Sequence, residues 1–116
     1  IIMNDNLRVE IAQLHARVCG GLADPNRILI LYALNDGNYN VGDLAVAVGL
    51  SQPTVSRHLK ILREAGMVIA KRDGQSMYYM LADQRIIQAL ELLRAVLADI
   101  LANQANLVYH AGPGLV

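Results

Sequence analysis

The run from Gly49 to Gly66, GLSQPTVSRHLKILREAG, constrains this chain more than any other stretch. Val55, Leu59 and Leu62 recur at spacings of four and three, which predicts a helix with one buried face. Ser51 is placed to cap it, and Pro53 falls in the first turn, where backbone donors are unpaired in any case. Just upstream, Val41 to Val48 predicts a short helix with Leu44, Ala45 and Val48 facing inward, joined to the next by the tight turn Gly49-Leu50-Ser51. Downstream of Gly66 the pattern changes to two runs of β-formers, Met67 to Arg72 and Ser76 to Leu81. Asp73-Gly74-Gln75 separates them, and Asp-Gly between apolar runs signals a hairpin. A helix–turn–helix followed by a two-stranded ribbon is a winged helix.

The flanking segments fit the same plan. Leu7, Ile11, Leu14 and Val18 recur at spacings of four, three and four, giving a first helix from about Asn4 to Cys19 that Gly20-Gly21 ends. Asp24-Pro25 predicts a cap and first position for a second helix, and NRILILYALN (Asn26 to Asn35) is apolar nearly all round, so this helix, Tyr32 included, belongs in the core. From Asp83 the helical period returns through Ile86, Leu90, Leu93, Leu97, Ile100 and Leu101, a long helix to about Ala105. The expected fold is mainly α with a small β-hairpin: helices one to four, a two-stranded wing and a long C-terminal helix. Residues 4–105 are expected to form one folded domain and residues 106–116, with Gly112-Pro113-Gly114, a frayed tail. Ile1 and Ile2 precede Met3 and are set aside.

With 116 residues, the chain has the size of one domain. It is 54% hydrophobic, which excludes intrinsic disorder, yet its longest near-unbroken apolar run, Ile28 to Leu34, is far short of a membrane span. Asn4, Asp5 and Asn6 do not make a signal peptide, and the expected location is cytoplasmic. So apolar a chain must cover part of its surface with a partner. Leu7, Ile11, Leu14 and Val18 on the first helix and Leu90, Leu93, Leu97 and Ile100 on the last are the candidate homodimer interface.

Formal net charge is zero, which at first argues against a nucleic-acid partner. The zero is a cancellation. Residues 51–75 hold five basic groups (Arg57, Lys60, Arg63, Lys71, Arg72) and two acidic ones (Glu64, Asp73), so this window is +3 and the remainder −3. Opposite the apolar face of the Gln52 helix lie Gln52, Thr54, Ser56, Arg57, His58, Lys60 and Arg63. With Ser51, the short hydroxyl and amide side chains cluster near the N-terminus, where a major-groove helix meets base edges, and Arg57 has the geometry to pair with guanine. Lys60, Arg63, Lys71, Arg72 and Gln75 fall where phosphates run, with His58 facing DNA beside them. The bland alternative is a solvated helix face beside an unrelated hairpin. A local basic stripe, doubled by two-fold symmetry, is what phosphate neutralisation on double-stranded DNA needs.

LADPNRILILYAL, SQPTVSRHLKILREAGMV and GQSMYYML together resemble the arsenical-repressor (ArsR/SmtB) family of bacterial transcriptional repressors, over about residues 7 to 101. The resemblance implies a homodimeric winged helix that binds a near-palindromic operator and releases it on an inducing signal. It places the recognition helix at Gln52 to Glu64 and the wing at Met67 to Leu81. Many members of the family sense metals, and their ligand patterns are not kept here. Asn40 and Gly42 stand where a Cys-x-Cys pair is needed, and Arg85 and Val96 replace the two imidazoles that would accompany Asp83 and Asp99. Dithiol sensing needs two cysteines, and Cys19 is the only one. No cofactor and no standard metal site are expected, and the inducer is unknown.

His15 and Cys19, four apart on the first helix, form a possible sensor pair that His110 would complete across a dimer. The alternatives are a small buried cysteine beside a surface or interface histidine, or a Cys19–Cys19 bridge between subunits. Tyr78 and Tyr79 alternate across the second wing strand, one inward and one outward. No nucleophile elbow, phosphate loop or paired carboxylates point to an enzyme. The remaining alternative is a winged helix that binds protein in place of an operator, which would not need to keep five basic groups together.

Overall fold

The computed structural model describes residues 4–111, with side chains through residue 106; Ile1, Ile2 and Gly112-Pro113-Gly114 lie outside the described residues. The chain divides after Gln84 into two units.

The first unit opens with Asn4, whose Oδ1 accepts from the Leu7 N–H at 2.7 Å and starts α1 (Asp5–Gln13). The helical path does not stop at the glycine pair. It widens into a π-helical turn (Leu14–Cys19) and continues as α2 (Gly20–Leu22), so both glycines lie inside it. Gly21 serves packing instead of termination: a Cβ there would collide with Met67 Cε. Asp24 then caps α3 (Pro25–Asn35), its Oδ1 accepting from the Asn26 N–H at 2.8 Å with Pro25 in the first turn. Ile30, Leu31 and Leu34 are buried, but Leu29 is 53% exposed and Tyr32 is half-buried. Helix α3 is therefore central on one face only, and Tyr32 lies at the margin of the core.

Asn40 caps α4 (Val41–Val48) through the Asp43 N–H at 2.8 Å, and Gly49 closes it in the left-handed region at φ 72. Ser51 caps α5 (Gln52–Glu64). Leu44 and Ala45 of α4 and Val55, Leu59 and Leu62 of α5 are buried with the α3 residues and with Met67 and Val68, and this is the core of the unit. Burying each large side chain contributes about 1.5–3 kcal/mol.

The wing is β1 (Val68–Asp73) paired antiparallel with β2 (Ser76–Leu81), Asp73 opposite Ser76 and Val68 opposite Leu81. Its two-residue loop has positive φ at Gly74 alone, so the glycine itself makes the turn. Tyr39 adds an antiparallel bridge on the far side of β2: its N–H donates to Tyr79 O at 3.2 Å, and the Tyr79 N–H to Tyr39 O at 2.8 Å. Tyr78 and Tyr79 are both half-buried.

The described part of the second unit is one helix, α6 (Arg85–Ala111), which runs six residues past the expected end near Ala105. Ile87 and Leu90 are buried, while Leu92, Leu93, Val96, Leu97, Ile100 and Leu101 are all exposed. No helix among the described residues is long and apolar enough to cross a membrane.

Candidate nucleic-acid interface

Helix α5 presents the candidate surface because its other side is fixed. Val55, His58, Leu59 and Leu62 are buried at spacings of three, one and three, a complete apolar stripe for one helical face. What remains outward is polar. Gln52, Ser56, Lys60 and Arg63 follow one another at spacings of four, four and three, all exposed, with Arg57 exposed beside Ser56.

The first turn is organised before any ligand arrives. Ser51 Oγ accepts from the Thr54 N–H at 3.4 Å and donates to Thr54 Oγ1 at 2.8 Å. Thr54 is half-buried and accepts this bond through its Oγ1. Gln52 folds back over α4: its Nε2 lies 2.9 Å from where a Cβ on Gly42 would stand, so Gly42 makes room for this amide. Gly42 at the start of α4 and Gln52 at the start of α5 thus meet closely across the turn.

His58 corrects the sequence expectation. It is 3% exposed and lies on the core face, its Nδ1 3.3 Å from Arg27 Nη1. Burial, above all, holds its pKa below the ordinary 6.5; Asp24 opposes this and the nearby Arg27 and Arg57 charges add to it. Its place in the helical phase, one residue before Leu59 and three after Val55, decided its direction over its polar chemistry.

On the wing, Lys71 lies opposite Tyr78 and Arg72 opposite Met77. Adjacent strand residues point to opposite faces, so Lys71 and Arg72, both exposed, leave the ribbon in different directions. Exposed Gln75 sits in the hairpin loop. A hollow of about 420 Å³ is lined by Asn38, Lys71, Arg72, Asp73, Tyr78 and Met80. Of these, Asn38, Asp73, Tyr78 and Met80 are not among the residues the sequence singles out for DNA. Tyr78 was recoverable from hairpin register, since a two-residue loop puts it opposite Lys71; Asn38 depends on the Tyr39 bridge, which has no local signal.

The other candidates divide between the two units. On α1, Ile11 is exposed and Leu7 is half-buried; in the π-helical turn Leu14 is exposed and Val18 half-buried. A shallow groove of about 410 Å³ is lined by Leu7, Arg8, Ile11, Ala12 and His15. On α6, Leu93, Leu97 and Ile100 are exposed, but Leu90 is 5% exposed, so its expected place on a partner-facing stripe is corrected. Cys19 is exposed, not buried, and lies with exposed His15 in the π-helical turn. The side chain of His110 lies outside the described residues. Among the described residues, no three His, Cys, Asp or Glu side chains converge on a common point.

Comparison with known proteins bears on the same residues. The model of the bacterial regulatory protein arsR family matches residues 24–70, which span α3, α4, α5 and the start of the wing. The HTH-type transcriptional regulator CmtR of Mycobacterium tuberculosis is 46% identical over 84 residues, 72% of this chain and 71% of that protein. The biofilm growth-associated repressor of Agrobacterium fabrum is 36% identical over 75 residues, 65% of this chain and 64% of that protein. Among solved structures, the homodimeric winged helix-turn-helix DNA-binding domain of a possible ArsR-family regulator from Mycobacterium bovis superposes with a TM-score of 0.74 at 31% identity, covering 87% of this chain and 93% of that one.

Proposed function

This chain belongs to the arsR family of bacterial regulatory proteins, and from that premise we propose that it is a homodimeric repressor that reads a near-palindromic operator with α5 and its wing. The observation that carries this reading is the two-sidedness of α5. Four buried residues fasten it to the core, and every basic group of the 51–75 window is exposed. Gln52, Ser56 and Arg57 face outward at the end of the helix that enters a major groove, where amide and guanidinium pairs discriminate adenine and guanine. Lys60 and Arg63 farther along the helix, and Lys71, Arg72 and Gln75 on the wing, reach the flanking phosphates.

The exposed apolar faces of the N-terminal helical path and of α6 support the homodimer. Ile11, Leu14, Leu93, Leu97 and Ile100 are each about half exposed or more in the single chain, and burying them against a second copy removes that area from water. Two-fold symmetry then presents two recognition helices to successive turns of one DNA face. Operator release follows a signal other than a Cys-x-Cys or His-rich metal site, since Asn40, Gly42, Arg85 and Val96 occupy those positions.

Duplexes selected by the protein from a random pool, followed by mobility shifts over a salt series, test the reading. A selected duplex should bind more tightly than an unselected one of equal length, and log affinity should fall steeply with log salt as phosphates shed counterions. Weak, salt-insensitive binding to every duplex would overturn it and favour a protein-interaction role. A screen of metal ions and oxidants for release of the selected duplex, with Cys19→Ser as control, addresses the signal.

A further inference from the structure

Arg27, on α3, reaches polar groups on two other helices of the first unit. Its Nε donates to Gly21 O at 2.8 Å and its Nη2 to Gly20 O at 3.3 Å, while Nη1 lies 3.3 Å from Nδ1 of His58 on α5. The two carbonyls belong to α2, a three-residue helix, and its C-terminal carbonyls are the acceptors a cation satisfies. Helix α2 directly continues the π-helical turn that carries His15 and Cys19. One guanidinium thus spans from the end of the N-terminal helical path to the buried face of the helix whose outer face carries Arg57. A second fastening lies beside it: Met67, buried at the root of the wing, fills the space a side chain on Gly21 would take.

We propose that Arg27 is a positioning residue: it ties α2 to the recognition helix through His58, sets the seat of α5 on DNA, and does so only while His58 Nδ1 is unprotonated. The inference rests on the reading of α5 as the helix that contacts DNA. Arginine has donors only, so the 3.3 Å contact requires His58 Nδ1 to accept, which puts the imidazole proton on Nε2. A proton on Nδ1 removes that acceptor and sets two cations together in a buried place. The charged groups that face His58 are Arg27 from α3, Asp24 at the α3 cap and Arg57 on its own helix. Asp24 favours the proton; burial and the two arginines oppose it more strongly, so the bridge is intact at neutral pH and opens under acid. Loss of the bridge loosens the hold of α2 on α5, leaving the packing of Gly21 beside Ala65 and Met67, without touching a residue on the DNA-facing surface.

The test uses the full chain, a duplex it selects from a random pool, and an unselected duplex of equal length. In the wild type, the ratio of the two affinities should fall about tenfold or more between about pH 8 and about pH 5.5, the scale of one lost charge-assisted hydrogen bond. His58→Asn places a non-titrating carbonyl near the Nδ1 position and should keep the ratio while flattening its pH profile. Arg27→Gln should lower the ratio at the higher pH while binding to the unselected duplex stays unchanged. Imidazole nitrogen shifts of the wild type should show Nε2 protonated and Nδ1 bare at neutral pH. A folded Arg27→Gln with an undiminished ratio, a His58→Asn as acid-sensitive as the wild type, or a protonated Nδ1 at neutral pH each overturns the proposal. If Arg27→Gln fails to fold, the His58→Asn profile and the nitrogen shifts still decide it. Failure to select any duplex overturns the DNA reading itself, whereas selection with a flat pH profile overturns only the Arg27 bridge.

Discussion

Asp24 and His58 make the first unit sensitive to acid at two separate points. The Asn26 N–H, donating to the carboxylate, is the main reason Asp24 titrates below its ordinary 3.8, and burial is the main reason His58 titrates below 6.5. Each group takes up a proton more readily in the unfolded chain than in the folded one, so each contributes stability that is complete above its unfolded value. His58's share declines as pH falls from 6.5 through its lower folded value, and Asp24's declines below 3.8. Urea unfolding from about pH 8 to about pH 3 should show both losses, with His58→Asn abolishing the upper one. Arg57, in contrast, faces solvent, and Arg57→Ala should leave unfolding unchanged while weakening the selected duplex by about 1–3 kcal/mol. An equal loss on unselected DNA would make it a phosphate contact. These two neighbours show where residue type informs and where it misleads. Arg57 and His58 are both polar and adjacent, but the Val55–Leu59–Leu62 phase buries one and exposes the other. Weighing that phase before side-chain chemistry would have placed His58 in the core.

At the scale of elements, caps and glycines were legible because their physics is local. Asn4, Asp24, Asn40 and Ser51 each accept from a first-turn N–H; of these, only Asp24 and Ser51 are expected as caps from the sequence, although the same local signal precedes the helices that Asn4 and Asn40 begin. Gly49 closes α4 at φ 72 with nothing within 4 Å of a Cβ position, so Gly49→Ala meets backbone strain and no clash. It should destabilise by about 1–2 kcal/mol, with Gly49→Asn recovering part of the loss in chemical denaturation. Gly20-Gly21 has the same local appearance and a different cause. Gly21 is small because Met67, far along the chain, occupies its side-chain space, a contact no window around residue 21 contains. Gly21→Ala should therefore cost about 1–3 kcal/mol, most of it absent in a Met67→Ala background, where the double-mutant cycle isolates the clash. The Tyr39–Tyr79 bridge was hidden for the same reason: its partners are forty residues apart and it consists of backbone hydrogen bonds that any residue pair can make.

For the whole molecule, the governing fact is apolar surface that a single chain leaves in water. Along α6, Leu93, Leu97 and Ile100 recur at spacings of four and three, Leu97 at 53% exposure, with Leu92, Val96 and Leu101 widening the stripe. A lone helix of this kind is a liability unless a second copy covers it, and covering it also doubles the basic surface offered to DNA. Leu97→Glu places a charge in the middle of the stripe, where a paired helix would have to bury it without a partner. Sedimentation should then show a monomer at concentrations where the wild type is a dimer, with helical content unchanged because Leu97 is not needed inside its own chain. The DNA consequence separates dimerisation from folding. A folded monomer keeps one recognition helix and one wing, so its slope of log affinity against log salt should fall to about half and its preference for a two-fold duplex should disappear. A Leu97→Glu protein that stays dimeric would move the interface to the face formed by Ile11 of α1 and Leu14 of the π-helical turn, where Ile11→Glu makes the same measurement on the other candidate surface.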